Sequence, residues 1–366
     1  MKSCNWLTAV FILIIGGFFL LNRLIPPPEF SASERRLLRV MPEFSGASVL
    51  SGAFMSDFED YAADSFVFRD GLRSLKAAAV FGLFRQSDKS GLYYNATAGA
   101  GKIEKLNEAS LARVAAKIGV LAAGLEECRL YYAVIPDKSI YAGRPLPGFD
   151  PETARRAMAA VLGDRLTYID IVPALTGEDF YRTDLHWDQA RLAGVLDALG
   201  AGMGLAPAAF FAPETLGDFT GVYAGQLALP IEPDQMTIMT APALTEAEAQ
   251  YLGQDGVFRA GAIYDREAFA GRDPYDVFLR GAQPLIVLDN PAADTDKELY
   301  LFRDSFGSSL GPLLLPSYAR VTFIDLRYID SRALGQYVTF TPGADVLFLY
   351  SAQILNNETV LLAPVS

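Results

Sequence analysis

The sequence predicts an α/β protein of three layers, built on a mainly parallel sheet that carries an insertion of short strands and preceded by an N-terminal transmembrane helix. Three observations predict it. Apolar runs of strand type alternate with helical patterns through residues 129–204 and again from 284 onward, as in parallel β-α-β units. Between about 205 and 281 that periodicity gives way to frequent Gly, Pro and aromatic residues, as in FTGVYAGQLALP and GRDPYDVFL. From Trp6 to Leu21, WLTAVFILIIGGFFLL holds no charged residue.

With Leu24 and Ile25 the apolar stretch reaches roughly 20 residues, enough at about 1.5 Å per residue to cross about 30 Å of hydrocarbon. No small-residue cleavage site follows; the run meets Asn22, Arg23 and then Pro26-Pro27-Pro28, so an uncleaved anchor is expected. Lys2 favours a cytoplasmic N-terminus, although Arg23, Arg35 and Arg36 on the other flank blunt that argument. With the body outside, Cys4 and Cys128 lie on opposite sides of the membrane and cannot pair.

Residues 1–28 are read as a cytoplasmic stub, anchor and stiff proline spacer, and 29–100 as a helical segment packing on the body. Within it, Phe54, Phe58, Tyr61 and Ala62, and then Leu72, Leu75, Ala79, Val80 and Leu83, fall at helical spacing. The α/β domain spans 101–366 with its insertion at about 205–281. It opens with a helix over about 104–127, then LYYAVIP as a strand, a helix over about 151–162 and a strand over 168–172. Asp188 stands near the start of a helix striped by Leu192, Val195, Leu196, Leu199 and Met203. Strands are then expected at 285–288, 299–302, 321–324 and 346–349.

Composition narrows the function. The 366 residues are 51% hydrophobic and 20% charged, which is globular rather than disordered. With 31 Lys+Arg against 43 Asp+Glu the net charge is −12, which argues against nucleic acid as a partner. Two cysteines and a single histidine leave no disulfide framework and no Cys- or His-rich metal centre; neither metal nor cofactor enters the reading.

Ser305 stands where an apolar strand meets a helix-like continuation, in YLFRDSFGSSLGPLL. A serine there presents its hydroxyl at the carboxyl edge of the sheet beside helix N-terminal amides; the same position also suits a helix cap. The lone His186 lies two residues after Asp184. In an extended loop residues i and i+2 share a side, so the carboxylate can orient the imidazole as a general base. Serine, histidine and aspartate together favour nucleophilic catalysis over a histidine satisfied in a core. Asp304 is set aside as a partner, because adjacent strand residues face opposite ways. Lys138 and Arg327 follow strands at the carboxyl edge, where open α/β sheets bind ligands; each could hold an anionic sugar or acetyl donor, or form a surface salt bridge. Trp187 and Tyr181 could stack on a sugar ring, or belong to the core.

The phrase YRTDLHWDQARLAG resembles the Asp-x-His-Trp signature of the DHHW protein family, relatives of the SGNH-hydrolase-like proteins that O-acetylate alginate and other exopolysaccharides. The resemblance extends in order through MPEFSGASVLSGAFMSDFEDYAADSFVFRD, VIPDKSIYAGR, GRDPYDVFLRGAQPLIVLDN, FRDSFGSSLGPLL, IDLRYID and DVLFLYS. Where the family name reads Asp-His-His-Trp, this chain reads Asp184-Leu185-His186-Trp187. The resemblance implies an SGNH-hydrolase-like, flavodoxin-like body with Ser305 as nucleophile, His186 as base and Asp184 as its acid partner. Ordinary SGNH hydrolases place the serine block first; the exopolysaccharide acetylation proteins place it after Asp-x-His, as here. The superfamily's Gly and Asn oxyanion donors have no match, and the backbone amides of Ser305 and Gly307 are taken in their place. The implied activity is serine-dependent O-acetyl transfer to a cell-surface or secreted polysaccharide, with a membrane-bound acyl-transfer protein as a candidate acetyl source. An esterase of the same type and a non-catalytic glycan-binding or assembly protein are the alternatives.

Overall fold

The computed structural model describes residues 2–95, 98–143, 148–206 and 210–365, with the side chains of 2–5, Lys2 and Cys4 among them, outside the description. It divides into two units. The first comprises Met1–Ser90 with Val222–Ile231, and the second Gly91–Gly221 with Glu232–Ser366. The division expected after residue 100 thus falls after Ser90, since the hairpin Leu92–Asn95/Gly99–Lys102 belongs to the second unit.

In the first unit, helix α1 (Lys2–Leu24) contains Trp6–Leu24, long and apolar enough to cross a membrane. Helices α2 (Ala53–Asp64) and α3 (Arg69–Ala78) follow, and α3 continues as a wider π turn over Ala79–Leu83. Both helices were expected, but not their orientation: Phe58, Leu72, Leu75 and Leu83 are exposed. What α3 turns inward is Arg69, Arg73 and Ala77.

The second unit is a mainly parallel sheet between helical layers. Its longer helices are α4 (Glu108–Ala123), α5 (Pro151–Leu162), α6 (Ala193–Met203) and α7 (Ser305–Leu310). Its strands are β1 (Arg129–Ile135), β2 (Thr167–Tyr168), β3 (Glu248–Leu252), β4 (Phe258–Gly261), β5 (Leu285–Asp289), β6 (Glu298–Arg303), β7 (Arg320–Ile324) and β8 (Asp345–Ser351). They lie in the order β4-β3-β5-β7-β6-β8-β1-β2. Alternation along each strand builds two cores. Leu299 and Leu301 of β6 join Leu347 and Leu349 of β8 on the face covered by α6, whereas Tyr300, Phe302, Val346 and Phe348 face α4 and α5. Caps set the helix limits: Asn107 accepts from Ser110 N ahead of α4, Asp150 from Thr153 N ahead of α5, and Gly204 at φ +65° closes α6.

All six expected strands enter this sheet. Five of its strands, β7, β6, β8, β1 and β2, are mutually parallel. β5 is antiparallel to β7, because only residues 290–297 join it to β6, too few for the crossover that a parallel strand needs. The strand expected over 168–172 stops at Tyr168: Asp170 Oδ1 accepts from Val172 N, and Pro173 opens a 3-10 turn. Two insertion strands, β3 and β4, extend the sheet beyond β5, and the rest of the insertion includes the hairpin Ala212–Phe219/Asp234–Thr240.

Leu301 is completely buried at the centre of the sheet. Leu301→Ala is expected to cost about 2–5 kcal/mol, read as a lower urea midpoint at unchanged m-value.

Candidate active site

The fold places Ser305 directly beyond the carboxyl end of β6, as the first residue of α7. Asp304 makes that junction sharp: its Oδ1 accepts from Phe306 N (3.0 Å) and its Oδ2 from Ser351 N at the end of β8 (2.8 Å). Both oxygens are thereby committed to backbone, and Asp304 is a cap and a strap between strands. The Ser305 side chain stays partly exposed.

His186 reaches this serine from a tight reversal of the chain. Phe180 and Trp187 pair as an antiparallel bridge, Tyr181 N donates to His186 O (3.0 Å) and Asp188 N to Asp179 O (2.8 Å). At its tip the His186 Nδ1 lies 2.7 Å from Asp184 Oδ1, and Nε2 lies 2.8 Å from Ser305 Oγ. An ionised carboxylate only accepts, so it fixes the proton on Nδ1 and leaves Nε2 to accept from the serine hydroxyl. Asp184 Oδ1 also accepts from His186 N at 3.1 Å. This is the arrangement in which a hydroxyl can be deprotonated as it attacks.

Two aromatic rings pack against the imidazole. Tyr275 stacks on it with centroids 3.7 Å apart and planes 9° from parallel, and Phe306 lies at 4.9 Å. Burial raises the Tyr275 phenol far above its ordinary range, keeping it a neutral donor to Ser309 Oγ at 2.9 Å. An electron-rich ring face against an imidazole favours the imidazolium that forms when the serine proton is taken. The sequence reading missed Tyr275, although PYDVF lies within a block that carried the family resemblance.

Irregular backbone in the interior must have its polar groups satisfied, and here side chains do it. Lys138, only 2% exposed, donates from Nζ to Tyr181 O (2.7 Å) and Asp184 O (2.9 Å). Asp234 accepts from Arg182 N and Thr183 N, both at 2.8 Å, and from the Thr183 hydroxyl. Two glycines let backbone press against the same loop: a Cβ on Gly221 would lie 2.2 Å from Asp184 Cβ, and one on Gly99 2.3 Å from Arg182 O. Trp187 Nε1 donates to Phe306 O (3.1 Å) and Ser309 Oγ (2.9 Å), and Gln189 Nε2 to Ser309 O (2.6 Å), fastening the histidine segment to α7.

These positions correct several expectations. Lys138 is spent on the loop rather than presented to an anion. Trp187 and Tyr181 are buried and have no face for a sugar. Arg327 grips Asp325 through Nε (2.8 Å) and Nη2 (2.6 Å), so its guanidinium is largely spent on that carboxylate. Gly307 N donates to Asp304 O at 3.0 Å, so of the two amides assigned to an oxyanion, among the described residues only that of Ser305 is without such a bond.

No family model matches the chain and no curated protein matches it in sequence. Solved structures do match. A DHHW family protein from Eubacterium siraeum superposes with a TM-score of 0.60 at 18% identity, over 75% of this chain and 94% of that one. Bacillus cereus PatB1 bearing a sulfonyl adduct gives 0.60 at 17% identity, over 75% and 98%. The O-acetyltransferase domain of Pseudomonas putida AlgJ is more distant, at 0.45 and 14% identity over 73% and 92%. The chain shares its fold with the DHHW family protein and with PatB1.

Burial lowers the Lys138 ammonium from its ordinary 10.5 to about 8. Below pH 8 folded and unfolded chains both hold the proton and the full cost of burying the charge is present. Between about 8 and 10.5 the folded chain has lost a proton that the unfolded chain keeps, so stability rises with pH. Unfolding free energies measured across that window should therefore climb in the native protein relative to Lys138→Met, by up to about 3 kcal/mol.

Proposed function

We propose that this protein is a membrane-anchored, extracytoplasmic, serine-dependent O-acetyltransferase acting on a cell-surface or secreted polysaccharide. The observation that carries the proposal is the unbroken line Asp184 Oδ1, His186, Ser305 Oγ, with links of 2.7 and 2.8 Å. Three groups from two distant stretches of chain converge in hydrogen-bond reach at the carboxyl edge of a parallel sheet, which favours chemistry over passive glycan binding. The PatB1 neighbour bears a sulfonyl adduct, and sulfonyl reagents form adducts with activated hydroxyls; such a reagent is the natural probe for Ser305.

In the proposed reaction Ser305 Oγ attacks the donor acyl carbon while His186 Nε2 takes its proton. The oxyanion forms against the Ser305 amide at the start of α7, and Asp184 and the Tyr275 face stabilise the imidazolium. Collapse expels the donor's leaving group, which receives the proton from Nε2, and leaves acetyl-Ser305. A sugar hydroxyl then gives its proton to Nε2 and attacks the acetyl carbon; collapse breaks the bond to Ser305 Oγ, which takes the proton back from Nε2, and releases the O-acetylated sugar. The anchor would hold the domain near a membrane-bound acyl-transfer protein as acetyl source. Water in place of the sugar would make the same site an esterase.

The test is acetyl release from a chromogenic acetate ester by the solubilised full chain, followed with and without an acceptor oligosaccharide. Ser305→Ala and His186→Ala should each lower turnover by on the order of 10⁴-fold or more, and the double variant should fall no further because the pair acts as a unit. Asp184→Asn should cost less than either, since it spoils orientation and tautomer but leaves nucleophile and base. Undiminished activity in His186→Ala would refute the proposal.

A further inference from the structure

The first unit wears its apolar residues outward. Among the described residues, fourteen large hydrophobic side chains between positions 37 and 84 are exposed, against seven over everything that follows. The pattern is sharpest on α3 and its π-turn extension. Phe68, Leu72, Leu75 and Leu83 are 63%, 39%, 67% and 74% exposed, and their spacing of four, three and eight residues places them along one side. The opposite side is fixed inward by charge. Arg69 bridges to Glu34 and Asp64, Arg73 donates to Gly225 O (2.9 Å) and Gln226 O (3.1 Å), and Ala77 is fully buried. A helix that buries arginines and exposes leucines is inverted for water and correctly oriented for hydrocarbon.

Its depth is set by α1. The Phe66 ring stacks on Phe18 at 5.4 Å, and Val67 N donates to Asn22 Oδ1 at 2.8 Å. Phe18 lies six residues, about 9 Å, before Leu24, where the apolar span ends. A bilayer that surrounds Trp6–Leu24 therefore reaches Phe66, and the exposed stripe begins two residues later. No long linker intervenes to lift α3 away.

We propose that the segment Phe68–Leu83 lies in the membrane interface beside the exit of α1, with Phe68, Leu72, Leu75 and Leu83 inserted among lipid acyl chains. The occupant of this face is the bilayer that α1 crosses, so the proposal rests on the anchor reading. The stripe itself is apolar: both arginines of α3 are committed inside the unit, and Lys76, exposed beside Leu75, is the helix's one cation left at the surface to meet headgroups. The segment would thus hold the first unit to the membrane at two places and limit its swing about the anchor.

The test uses the full chain carrying Cys4→Ser and Cys128→Ser, with single cysteines introduced in turn by Leu75→Cys, Ile15→Cys and Val257→Cys. All three positions are exposed, so labelling should not disturb the fold. Each is labelled with an environment-sensitive fluorophore and reconstituted in phosphatidylcholine vesicles made with or without brominated acyl chains. The proposal expects severalfold quenching by bromolipid at positions 15 and 75, and none at 257, where aqueous iodide should quench instead. Quenching at 15 with an iodide-accessible, bromolipid-insensitive label at 75 overturns the proposal and assigns the stripe to a protein partner absent from the vesicles. Loss of bromolipid quenching at 15 overturns the anchor reading itself, and the interfacial proposal with it.

Discussion

The structure around the site depends on keeping an irregular stretch of backbone, Tyr181 to Trp187, inside the protein. A reversal of chain there exposes carbonyls and amides to an apolar interior, and each one left without a partner would cost on the order of 1–3 kcal/mol. Lys138 satisfies two carbonyls, Asp234 two amides, and Thr183 Oγ1 accepts from Gly221 N at 2.8 Å while donating to Asp234. A buried cation and a partly buried carboxylate thus serve the loop, each neutralising the backbone dipoles that point toward it. Rigidity of Asp184 and His186 follows from this scaffold, not from the short bond between them.

The second constraint is topological. Read from the amino end, the parallel strands lie in the order β7-β6-β8-β1-β2, which matches no common doubly wound sheet. Counting from β6 instead, the order becomes second, first, third, fourth, fifth, the flavodoxin arrangement entered at another point. In that arrangement the switch of direction lies between β6 and β8, and Asp304 ties the ends of those two strands together across it. Ser305 therefore occupies the position where open α/β sheets bind ligands, although its strand comes late in the chain. The late serine and the early histidine are one consequence of where the chain enters the sheet.

Much of this was legible because it is periodic or chemically singular. Continuous apolar runs marked β1, β6, β7 and β8, whose residues are almost all buried. The only histidine, spaced two residues from a carboxylate, and a serine at a strand end stood out against a chain otherwise poor in such groups. What escaped had no local signal. The direction of β5 depends on the length of a connection that sequence patterns do not weigh. The roles of Lys138 and Asp234 come from residues far apart in the chain, and a lysine after a strand reads the same whether it meets an anion or a carbonyl. For α3 the helical stripe was correctly placed, but periodicity gives a face without saying which side is water.

Leu185 and Trp187 play unequal parts in the phrase Asp184-Leu185-His186-Trp187. In an extended tip, Asp184 and His186 point one way and Leu185 the other, where it packs against the core beneath the sheet's α6 face. A leucine where the family name has its first histidine therefore leaves the line to Ser305 untouched, and improves the apolar contact behind it. Trp187 has no such freedom. Its indole N–H reaches Phe306 O and Ser309 Oγ on the serine's own helix, and its ring meets Phe306 edge-on at 5.4 Å. The tryptophan is the link through which the histidine loop and the serine helix keep their 2.8 Å separation, which explains its place beside the histidine better than contact with a sugar.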